Sequence, residues 1–117
     1  MADGEVTVKE LVDAMAAFVE ERDWQQFHAP KNLAMGIVIE AGELMEHFQW
    51  ISEAESGALA DDAEQMGAIK EEVADVLCYV LAIAERMGID LSDAFYEKMK
   101  RNELKYPAEK YRGRYKL

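Results

Sequence analysis

KNLAMGIVIEAGELMEHFQWI, residues 31–51, spaces its seam residues at alternating four- and three-residue steps, the signature of one helical face. Leu33, Ile37, Leu44 and Ile51 lie on that face, and so do Glu40 and His47. A carboxylate where a core leucine belongs costs on the order of several kcal/mol if it stays charged and unpaired. Glu43 follows one turn further on. The seam predicts a helix from about Pro30 to Ile51, and its acids predict a buried edge that does more than pack.

Outward from this stretch, the chain reads as helix throughout. Thr7 and Glu10 form a capping-box pattern that opens a first helix with Leu11, Met15, Phe18 and Val19 on its apolar face. That helix should fade near RDWQQFHAP, because Pro30 disfavours helical geometry at Ala29 and suits the first turn of the next helix. SEAESGALADD, residues 52–62, is acidic and lacks periodicity, which predicts a loop or a poorly formed turn. Asp61 or Asp62 then caps a third helix whose stripe is Ile69, Val73, Val76, Val80 and Ile83, flanked by Leu77 and Leu81. Gly88 suits a left-handed C-terminal cap, and Asp90 opens a fourth helix from Leu91 to about Leu104. Four helices with short connections predict an all-α, four-helix-bundle-like subunit.

Composition narrows the function classes. The 117 residues suffice for one core, and 50% hydrophobic with 32% charged residues suits a globular chain. No apolar run approaches a membrane span, and MADGEVTVKE lacks the basic and apolar regions of a secretory signal. Cys78 is the sole cysteine, so no intramolecular disulfide forms and a cytoplasmic location is expected. Residues 1–97 hold 22 acids against 5 bases, while residues 98–117 hold 2 acids against 8 bases. The acidic body argues against a polymeric nucleic-acid partner. The basic end suits a smaller anion or a solvated tail from about residue 108.

Two acidic pairs carry the chemistry. Glu40 and Glu43 are three apart, as are Glu72 and Asp75 in KEEVADVLCYV, and each pair shares one helical face beside an apolar stripe. If the two helices pack antiparallel, four carboxylates converge and need protons or cations to neutralise them. Oxygen-only ligation favours Mg²⁺ or Mn²⁺. A di-iron site is disfavoured, since no Glu-x-x-His pair exists and His47 is four residues from Glu43. Solvated helix faces also carry such pairs, and Glu46, Glu71 and Glu85 read that way. From the residues alone, both readings stay open.

ERDWQQFHAPKNLA, EAGELMEHFQW, EEVADVLCYVLAIA and KMKRNELKYP follow one another in an order that resembles the MazG-like nucleotide pyrophosphohydrolases. The likeness runs from about Leu11 to Pro107 and looks nearest to the dCTP pyrophosphatase branch of the all-α nucleoside-triphosphate pyrophosphatases. It implies one domain over residues 1–117 that cleaves a nucleoside triphosphate to monophosphate and pyrophosphate in a house-cleaning role. Glu40, Glu43, Glu72 and Asp75 would then hold Mg²⁺, with Glu40 or Glu43 helping to deprotonate water. Trp24, Trp50 and Tyr79 would line the base site. His28, Lys31 and Asn32 would meet anions at the start of the second helix, and Lys98, Asn102 and Tyr106 would approach phosphate or sugar. The resemblance also implies a homodimer or homotetramer, which the surplus apolar residues Met35, Met45, Phe48, Phe95 and Met99 suit.

Two departures bear on these expectations. Ile39 stands where many relatives carry a second glutamate beside the first, leaving the number of ions open. Met15, nine residues before Trp24, stands where dCTP-cleaving relatives carry a histidine. A thioether cannot donate the same hydrogen bond, which weakens a strict dCTP preference. The alternative from another class is a catalytically silent all-α oligomer that binds nucleotide or a protein partner through the same surface.

Overall fold

A computed structural model describes residues 1–116; Leu117, the last residue of the expected domain, lies outside them. The described residues form six α-helices and no strand: α1 (Val8–Glu21), α2 (Pro30–Glu46), α3 (Glu53–Ala58), α4 (Ala63–Met87), α5 (Leu91–Lys105) and α6 (Ala108–Tyr111). Three short 3₁₀ turns cover Ala2–Gly4, Gln25–Phe27 and Leu59–Asp61. The four expected helices are α1, α2, α4 and α5, so the all-α class holds and the helix count rises. None of the described helices is long and apolar enough to cross a membrane.

The starts and stops follow local chemistry. Thr7 Oγ1 accepts from the Glu10 amide at 3.1 Å, while the Thr7 amide donates to Glu10 Oε2 at 3.0 Å, closing the capping box of α1. Asp62, rather than Asp61, caps α4 by accepting from the Glu64 and Gln65 amides. Gly88 ends α4 at φ 66°, and the Ile89 amide reaches back to the Ala84 carbonyl at 2.8 Å, a Schellman closure that L-residues rarely adopt. Asp90 then accepts from the Asp93 amide and starts α5.

Three segments differ from expectation. The second helix stops at Glu46 instead of Ile51, because the His47 and Phe48 amides bond to the Leu44 and Met45 carbonyls in tighter turns. The acidic segment after it is not a plain loop. Ser52 and Glu55 exchange bonds of 3.1 and 3.3 Å in a second capping box, which opens α3. Residues 108–111 of the expected tail likewise form a single helical turn.

The centre of the molecule is the α2–α4 pair, with α1 laid against α4. Gly36 faces Tyr79 and Glu43 approaches Glu72, so residue numbers rise along α2 as they fall along α4 and the pair is antiparallel. Leu33, 1% exposed, is the deepest large side chain, with Val19, Ile69, Leu81, Ala82 and Ala84 completing the buried core. Each seam position read from residues 31–51 is buried or half-buried, Glu40 included. Helix α5 buries no residue. The radius of gyration is 17.3 Å, against about 13 Å for a compact chain of this length, so the subunit is extended.

Candidate functional site

Antiparallel packing sets the two acidic pairs against each other. One carboxylate oxygen from each of Glu40, Glu43 and Glu72 lies within 4.8 Å of the others. Asp75, one turn from Glu72, stands beside this trio and lines the adjoining cavity with Glu40. Glu40 Oε2 and Glu72 Oε2 are both buried without a hydrogen-bond partner. The two ion pairs among the described residues, Lys9–Asp13 and Arg22–Glu21, leave the cluster untouched. No cationic side chain therefore neutralises it through an ion pair there.

The electrostatic consequence is direct. Burial pushes the Glu40 carboxyl above its ordinary range, and the adjoining Glu43 carboxyl and the charges of Asp75 and Glu72 push it further. Glu72 is raised by burial, then by Glu43 and Asp75, with His47 pulling weakly the other way. Oxygen-only donors, two orphaned oxygens and mutual repulsion together fit a hard divalent cation. These residues can hold one.

Beside the cluster opens a cavity of about 310 Å³ lined by Met15, Phe18, Trp24, His28, Cys78 and Tyr79, with Glu40 and Asp75 at its acidic edge. Trp24 reaches it because α1 ends in a left-handed turn at Asp23, φ 53°, a conformation that aspartate tolerates better than most residues. The Trp24 amide then bonds to the Val19 carbonyl at 3.0 Å, and its ring meets Phe18 edge-on at 5.7 Å. Arg22 lies over the other component of that pair, its guanidinium 3.8 Å from the Phe18 ring centre. Burial and then the charge of Asp75 push the Cys78 thiol up, away from thiolate. An apolar slot with a few polar groups meeting an acidic cluster is suited to a flat ring carrying an anionic tail.

The residues picked out in the sequence do not all meet. Glu40, Glu43, Glu72, Asp75, Trp24, His28 and Tyr79 form one continuous cluster and cavity. Lys31 and Asn32 occupy the first turn of α2 and are exposed; Asn32 Nδ2 donates to the Phe27 carbonyl at 3.4 Å. Trp50, Lys98, Asn102 and Tyr106 do not line that cavity. Trp50 is 86% exposed beyond the end of α2. Lys98 and Asn102 line a separate apolar groove of about 740 Å³ with Leu77, Leu81, Phe95 and Met99. Tyr106 packs edge-on against Tyr111 at 5.2 Å. Phe18 and Cys78 join the cavity without having been singled out as site residues, and only their helical spacing from Met15 and Asp75 signals it.

Comparisons with known proteins point to one family. The family model described as MazG-like matches residues 35–116. The chain is 44% identical over 109 residues to dCTP pyrophosphatase 1 of Rattus norvegicus, covering 93% of this chain and 64% of that protein. It is 42% identical over 104 residues to dCTP pyrophosphatase 1 of Homo sapiens, covering 89% of this chain and 61% of that protein. It thus spans less than two thirds of the length of these curated relatives. Among solved structures, a pyrophosphatase from Archaeoglobus fulgidus superposes with a TM-score of 0.78 at 41% identity, covering 85% of this chain and 91% of that one.

Proposed function

The chain belongs to the MazG-like family, and we propose that it is a nucleoside-triphosphate pyrophosphohydrolase dependent on Mg²⁺, with Mn²⁺ as a substitute. Its substrates on this reading are dCTP and related or modified pyrimidine nucleotides, cleared in a house-cleaning role by one domain spanning residues 1–117. The observation that carries the reading is the junction at Glu40, where a three-carboxylate cluster meets an aromatic cavity. The relatives named dCTP pyrophosphatase 1 support the substrate class.

In this reaction water adds to the α-phosphorus, the bond to the α–β bridging oxygen breaks, and monophosphate and pyrophosphate separate. Glu40, Glu43, Glu72 and Asp75 would hold the cation. When bound, it supplies the positive charge that offsets the carboxylates, attracts phosphate oxygens and acidifies water. Glu40 and Glu43 are the candidates to take the proton released by water; burial and neighbouring acids hold the Glu40 carboxyl above its ordinary range, which makes it a better base near neutral pH. Trp24 and Tyr79 would flank the base, and His28 offers it a hydrogen-bonding group. Met15 sits in the same cavity without a donor, so selectivity among pyrimidines is expected to be broad. Lys31 and Asn32, beside the free amides of the α2 N-terminus, suit phosphate.

Trp50, Lys98, Asn102 and Tyr106 enter this account through a second copy of the chain. Met35, Val38, Ile39 and Met45 expose a second apolar stripe on α2, and Phe95 and Met99 expose another on α5. A homodimer or homotetramer that covers these stripes would bring the α5 residues to a neighbour's cavity. Pyrophosphate release from a panel of canonical and 5-substituted triphosphates, with Mg²⁺ and with chelator, tests the proposal. Cation-dependent release strongest for pyrimidine deoxynucleotides is expected; no turnover of any triphosphate would sink it.

A further inference from the structure

Gly36 sits in the interior of α2, buried, where alanine would be the more favourable helix former. Its surroundings supply a reason. A methyl group built on Gly36 would meet the ring of Tyr79 at Cε1, and would lie 2.6 Å from Cδ1 and 2.8 Å from Cζ. Those separations are far inside van der Waals contact, so the phenol ring lies flat against bare α2 backbone. The same ring lines the cavity that holds Trp24 and Met15. Gly36 is also one turn before Glu40, and Tyr79 one turn after Asp75, so the contact lies directly above the acidic cluster.

We propose that Gly36 is a positioning residue whose missing side chain lets Tyr79 recede into α2 and so sets the width of the aromatic cavity. Without the notch, the ring has two ways to move. It can swing into the cavity toward Trp24, or it can wedge α2 from α4 and spread the carboxylates. Helix α2 buries Leu33 one turn before Gly36, and α2 and α4 make the most extensive helix–helix contact among the described residues. This close packing resists helix separation, whereas the cavity side is open. The ring therefore yields into the cavity, and the defect appears in nucleotide affinity before it appears in the cation cluster.

The inference rests on the nucleotide reading above, and a double-mutant cycle separates the two. Gly36→Ala, Tyr79→Ala and the double variant are compared with the native chain for dCTP KM and kcat, for the melting shift on adding Mg²⁺, and for melting temperature alone. Gly36→Ala is expected to raise KM by about tenfold with a smaller change in kcat, and to keep the Mg²⁺ shift. In the Tyr79→Ala background the same substitution should have little effect on KM, and the melting temperatures should show the same coupling. An unchanged KM in Gly36→Ala, a penalty that persists undiminished without the Tyr79 ring, or a lost Mg²⁺ shift would overturn the proposal. A native chain inert toward every triphosphate overturns the nucleotide reading instead. In that case the melting-temperature coupling still decides whether Gly36 acts through Tyr79.

Discussion

Glu40 and Glu72 each keep one buried oxygen without a partner, and both carboxyls are held above their ordinary range, first by burial and then by neighbouring acids. The sign of the resulting pH dependence follows from linkage. Between the ordinary and the raised value, the folded chain binds more protons than the unfolded one, so stability falls as pH rises through that window. The contribution is complete below the unfolded-state value and is lost by the time pH passes the folded-state value. A divalent cation competes with those protons, and one that binds only the folded chain stabilises it by mass action. Melting curves should therefore show a Mg²⁺-dependent rise of about 5 °C near neutral pH at saturating cation, shrinking toward about pH 5. A Mg²⁺ effect that is absent, or equal at both pH values, would contradict this electrostatic account.

The antiparallel α2–α4 pair is the element on which the site depends, and Leu33 is its deepest anchor. Leu33→Ala should cost about 2–5 kcal/mol, read as a shift in the denaturant midpoint with the slope preserved. A cost below about 1 kcal/mol would show that the pair is not the core. Much of this pair was legible beforehand. The seam of residues 31–51 and the stripe from Ile69 to Ile83 have helical periods, and their caps at Asp62 and Gly88 are written in residue type. The acidic pairs stood out because they interrupt or border those stripes, and the motif order of the MazG-like family supplied a reaction. The end of α2 was not legible, since a period-preserving sequence continues to Ile51 while the backbone tightens at His47. The Ser52–Glu55 box was present in the sequence but masked by an aperiodic, acidic segment. Asp23 is harder still, because its left-handed turn needs no glycine and so leaves no glycine to read. Gly36 has a reason only once Tyr79 lies across from it.

A radius of gyration of 17.3 Å and an α5 with no buried residue describe a chain that leaves apolar surface uncovered. Phe95 and Tyr96 are 58% and 66% exposed, and Val38 on α2 is 71% exposed. Large apolar side chains left exposed in this way suit an interaction surface. Light scattering after gel filtration should give a mass of two or four chains, and Val38→Asp or Phe95→Asp should lower it. A native monomer at micromolar concentration would refute self-association and leave Lys98 and Asn102 outside any site. The acidic body has a matching consequence, since a triphosphate approaches it only where local cations reverse the field. The proposed function makes the carboxylates of α2 and α4 a cation site for nucleotide cleavage. Its most direct test is pyrophosphate release by Glu72→Gln, which removes one ligand charge with little change of shape, measured beside its Mg²⁺ melting shift. Turnover should fall by about 100-fold or more and the Mg²⁺ shift should diminish, with helical content unchanged. Native turnover in Glu72→Gln, with the full Mg²⁺ shift retained, would contradict it.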